Sequence, residues 1–84
     1  MSVHLQIAEQ VRKHRQAQKQ FLALDAARER AIEDAIKQAE TGKPIQTIEI
    51  NRITNEMNQI AMAFQFPPRK VVTAEMITAH LKKA

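Results

Sequence analysis

Arg12, Arg15 and Lys19 are the residues whose type and spacing come nearest to a binding chemistry in this chain. At i, i+3 and i+7 they gather on one side of a helix, where three cations can meet the phosphates of a nucleic-acid backbone. Arg69 and Lys70, in a basic loop beside Pro67-Pro68, are the further candidate contacts. Two features count against this assignment. The chain has no Trp or Tyr to stack on a base, and its pattern lacks two short helices joined by a tight turn, the arrangement that enters a major groove. Charged helix faces are usually just solvated, so nucleic-acid binding stands as the alternative reading. Membrane-surface binding is weaker again, because the face opposite the basic cluster lacks bulky Leu or Trp.

The residues that could carry catalysis are sparse. Ser2 is the only serine, cysteine is absent, and the single glycine precludes a glycine-rich phosphate loop. Glu33 and Asp34 are adjacent, but neighbours on a helix point apart and cannot act as an acid–base pair. The expectation is that the protein is not an enzyme and takes no cofactor. His4, His14 and His80 have none of the i, i+3 or i, i+4 spacings that set two imidazoles on one helix face, so no metal site is expected. His14 lies within an apolar stripe, where a contact histidine is the ordinary reading. A pH-sensitive interface is the sharper one.

The elements that must position these residues are helical. Met1 to Thr41 contains neither glycine nor proline and is rich in Ala, Gln, Glu, Lys, Arg and Leu, all good helix formers. Gly42-Lys43-Pro44 then supplies the stop. Ser2 is the expected N-cap. Plotted at 100° per residue, Val3, Ile7, Val11, Phe21, Ile32, Ala35, Ile36 and Ala39 share one face, and the phase holds throughout. Asp25, Arg28, His14 and Gln18 interrupt that stripe, and Asp25 could instead cap a second helix; the constant phase favours one helix over about 3–41. Such a helix would be ~57 Å long, against a diameter near ~30 Å for a compact domain of this size.

A second helix is expected over about 47–65, with Thr47 as N-cap and Glu49 in its first turn. Ile50, Ile53, Met57, Ile60 and Phe64 alternate spacings of three and four, the pattern of a helix-packing seam. Pro67-Pro68 ends it. A short third helix over about 73–83 starts at Thr73, with Val72 stapled to Ile77, and is expected to cover part of the earlier half of the first helix.

These elements give an all-α single domain over 1–84, one long helix with two shorter ones packed antiparallel. With 84 residues and no cysteine it lies near the lower limit for one core. Burial against a second copy in a dimeric bundle is the expected remedy. The expected interface and core residues are Ile7, Val11, Phe21, Ile32, Ile36, Ile50, Ile53, Met57, Ile60 and Phe64. The net charge of +4 is unevenly spread: Arg12, Lys13, Arg15 and Lys19 face no acid between Gln10 and Leu24, whereas acids predominate from Asp25 to Glu40. That polarity favours an antiparallel homodimer. No signal-peptide core is visible, since Val3, Leu5 and Ile7 alternate with polar residues, and no run is long enough to span a membrane. A cytoplasmic protein is expected, with an unidentified protein partner also open.

The segments Lys19-Gln20-Phe21-Leu22-Ala23-Leu24-Asp25, Gly42-Lys43-Pro44 and Pro68-Arg69-Lys70-Val71-Val72-Thr73 resemble those of the YpbS-like family, short uncharacterised proteins of Bacillus-type bacteria. The resemblance covers nearly the whole chain. It implies a cytoplasmic bacterial protein with no assigned activity, and no functional residues to carry over.

Overall fold

A computed structural model describes residues 3–83, which form three helices and no strand. Helix α1 runs from Val3 to Glu40, α2 from Ile48 to Phe64 and α3 from Ala74 to Lys83. The molecule measures 61 × 20 × 16 Å with a radius of gyration of 17.2 Å, against ~12 Å for a compact chain of this size. It is a rod, because α1 is unbroken through Asp25. Ser2, the expected cap of α1, lies outside the described residues.

The stop of α1 is a left-handed Gly42 (φ 84°). The amides of Gly42 and Lys43 bond back to the carbonyls of Ala39 and Gln38 at 3.1 and 3.0 Å, a closure that glycine permits without a Cβ penalty. The chain reverses and α2 lies antiparallel on α1. Thr47 occupies the cap position of α2, but its side chain makes no capping bond: with φ −113° and ψ 0° its backbone is already helical, whereas an N-cap hydroxyl reaches the first turn from an extended residue. At 17 residues, α2 is ~25 Å long and reaches back to His14, further than half of α1.

Two buried clusters hold the pair. Phe21, Ile53, Met57 and Ala61 form one, walled by Leu24, Ala27, Ile60 and Phe66. Ala35, Ile50, Val72 and Ile77 form the other, with Ile32, Ile36 and Leu81 against it. The second cluster corrects the expected position of α3, which packs on the later half of α1 and not the earlier. The cause is the segment 66–73, which has no regular secondary structure. It runs back alongside α2 instead of onward, and so returns α3 to the end of the rod where the turn 41–47 lies. Thr73 Oγ1 accepts the Met76 amide at 3.2 Å and starts α3.

Candidate functional site

The most constructed part of the molecule is the cradle for this returning arm. Asn58 Nδ2 donates to the Arg69 carbonyl at 2.9 Å, and Asn58 Oδ1 accepts the Arg69 amide at 2.8 Å. Asn51 repeats the pattern on Val72, at 2.9 and 2.8 Å. The two spacings match. Seven residues along a helix span ~10.5 Å, and three residues of fully drawn-out chain span ~10 Å, so two asparagines on one flank of α2 meet residues three apart on the returning backbone. Each amide side chain supplies one donor and one acceptor and so satisfies both groups of the residue it holds.

From the α1 side, Arg28 donates through Nε to Thr54 Oγ1 at 2.9 Å and through a terminal nitrogen to the Lys70 carbonyl at 3.0 Å. Thr54, fully buried, donates in turn to the Ile50 carbonyl at 2.8 Å. Asp25 pairs with Arg69 at 3.3 Å, and the Arg69 guanidinium lies 5.1 Å from the centre of the Phe21 ring. Asp25 and Arg28, two of the polar residues that interrupt the apolar stripe of α1, thus bind the arm, and they do not break the helix. Among the described residues no buried side-chain nitrogen or oxygen lacks a partner.

The expected nucleic-acid contacts do not form one surface. Arg69 is half-buried and committed to Asp25 and Phe21; Lys70 is exposed on the arm. Arg12, Arg15 and Lys19 are all exposed and share one side of α1 with Ala8, Val11 and Gln16. Arg12 pairs with Glu9 at 3.2 Å, while Arg15 and Lys19 have no ion-pair partner among the described residues.

The expected apolar residues separate likewise. Phe21, Ile50, Ile53 and Met57 are buried; Ile32, Ile36, Ile60 and Phe64 are half-buried. Ile7 and Val11 are exposed, because α2 ends opposite His14 and no described element covers α1 beyond it. His14 meets Phe66 and Phe64 edge-on, with ring centres 5.1 and 6.2 Å away. His4 and His80 are exposed on α1 and α3, and no three metal-ligating side chains converge among the described residues. On the outer face of α2, Arg52 hydrogen-bonds Glu49 at 2.6 Å and holds its carboxyl below the ordinary glutamate range. Sequence reasoning missed Asn51 and Asn58 altogether. Their one visible signal is a seven-residue spacing on the flank of a helix that precedes a proline-led segment.

The chain is 35% identical over 81 residues to the uncharacterised protein YpbS of Bacillus subtilis (strain 168), covering 96% of this chain and 95% of that protein. No solved structure gives a match. The family model described as a protein of unknown function, DUF2533, matches residues 1–83. By that match and by a relative aligned over nearly its full length, the chain belongs to the DUF2533 family.

Proposed function

We propose that this protein is a non-catalytic helical assembly module that associates with a second copy of itself through α1. One observation carries the reading. Val3, Leu5, Ile7, Val11 and Leu22, all on α1, are 44–66% exposed, on a helix whose first eleven described residues are exposed throughout. Apolar side chains gathered on one exposed element mark interaction surfaces, and a core this small gains stability from association. No helix among the described residues is long and apolar enough to cross a membrane, and a cytoplasmic location completes the proposal.

The second reading, nucleic-acid binding through Arg12, Arg15 and Lys19, draws on the exposure of all three and on the unpaired state of Arg15 and Lys19. One experiment separates the two: size-exclusion chromatography with light scattering at low salt, mass read by refractive index and absorbance recorded at 260 nm. With no Trp or Tyr the protein itself absorbs weakly there. A mass of twice 9.6 kDa without absorbance at 260 nm supports assembly. Absorbance that salt removes supports nucleic acid. A mass of 9.6 kDa at every concentration overturns self-association.

A further inference from the structure

We infer that the outer face of α1 is a two-fold antiparallel docking stripe for the same stripe on a second copy, with residues n and 48 − n opposite each other. The inference rests on the self-association proposed above and specifies its register. Ala8, Val11, Arg15, Lys19 and Leu22 step along α1 at intervals of 3, 4, 4 and 3 residues. Ala26, Glu29, Glu33, Lys37 and Glu40 repeat the same intervals. At 100° per residue all ten lie within an arc of about 80°, and all ten are exposed. The arc points away from α2, whose contacts with α1 centre on Ala17, Phe21 and Ala35.

The intervals read the same from either end, so a two-fold antiparallel pair sets every residue of the stripe opposite another of the stripe, with residue i meeting j and j meeting i. Charge selects the direction. Antiparallel pairing sets Arg15 against the partner's Glu33 and Lys19 against the partner's Glu29, each twice by symmetry. Leu22 lies against the partner's Ala26 at the centre, and the stem of Lys37 covers the partner's Val11. Parallel pairing would instead juxtapose Arg15, Lys19, Glu29 and Glu33 with themselves, which is repulsive. Arg15, Lys19, Glu29 and Glu33 have no ion-pair partner within the described chain, so the pairing takes nothing from the monomer. Continued outward, the register sets residues 3–7 beside the partner's turn 41–45.

The chain lacks cysteine, so the register can be read by disulfide trapping. Leu22→Cys and Ala26→Cys are made as single variants, checked for unchanged helicity, and oxidised separately and mixed. The mixture should form a linked dimer at least about tenfold faster than either variant alone, because only the 22–26 pair lies within the Cα separation a disulfide spans. In parallel, R15E/K19E and E29K/E33K should each weaken dimerisation about tenfold or more, and mixing the two should restore it, since each then faces only opposite charge. A dimer in which Leu22→Cys links to itself, or in which neither charge variant has an effect, overturns this register while leaving self-association intact. A monomer at all concentrations overturns both.

Discussion

The two ends of α1 differ in what the rest of the chain does for them. From Ala17 to Ala39 the helix has α2 on one flank and the arm with α3 on another, and two of its interrupting polar residues are engaged: Asp25 with Arg69, Arg28 with Thr54 and the Lys70 carbonyl. From Val3 to Lys13 the same helix continues with every residue exposed. Propensity makes both ends helical, but tertiary packing stabilises only one, and an isolated helical stretch of this length is marginal in water. One end is therefore a folding unit, and the other is a surface that packing within the chain leaves open.

The largest test of that contrast is truncation at matched positions. Met57→Ala removes a side chain that is fully buried between the helices and should cost about 2–5 kcal/mol in urea unfolding. Ile7→Ala, at the bare end, should stay within about 0.5 kcal/mol under dilute conditions. Equal losses at both positions would erase the distinction between the two ends. Next in size is Asn58→Ala, which strands the amide and carbonyl of Arg69 and should cost about 1–3 kcal/mol. Asn51→Ala should behave alike at Val72. A neutral result at both would mean that the arm is held by its contacts with Asp25 and Arg28 and by the burial of Val72.

Asp25→Ala should cost less, below about 1 kcal/mol, because its pair with Arg69 is partly open to solvent and such pairs contribute little. The smallest effect is electrostatic. The Glu49 carboxyl, lowered chiefly by its hydrogen bond to Arg52, should titrate below an ordinary glutamate by NMR and return to the ordinary range in R52Q. A lowered folded-state value means that this pair stabilises above the ordinary carboxylate range and that its contribution is lost as pH falls through the lowered value. Both side chains are more than half exposed, so acid stability should change little.

What could be read ahead of the fold follows the same physics. The single phase of Val3 to Ala39 and the missing glycine and proline made α1 legible, as the three-and-four seam from Ile50 to Phe64 did α2. Position of the arm was not legible, because a proline-led segment without regular secondary structure has no period to follow. Its direction is set by two side-chain amides on another element, at sequence separations of 11 and 21 residues. That hidden contact is why α3 was expected at the wrong end of α1. Asp25 and Arg28 looked like faults in a stripe for the same reason: their partners lie on the arm. The cap at Thr47 failed for a local reason, since a hydroxyl in the right place on the sequence still needs an extended backbone to reach the first turn. At Gln65, by contrast, the chain adopts φ 59° without glycine, and Gln65→Gly should remove part of a penalty of roughly 1–2 kcal/mol.

The most direct measurement of the central claim is amide hydrogen exchange along α1 at low and high protein concentration. If the bare end and outer face are where a second copy docks, amides from Ala8 to Gln16 should slow by about tenfold or more as concentration rises, while those from Ile53 to Ala61 in α2, already protected by the monomer's core, should not change. Exchange from Ala8 to Gln16 that is equally fast at every concentration would contradict the claim, and would leave α1 as a helix whose exposed end has no copy of the chain to meet.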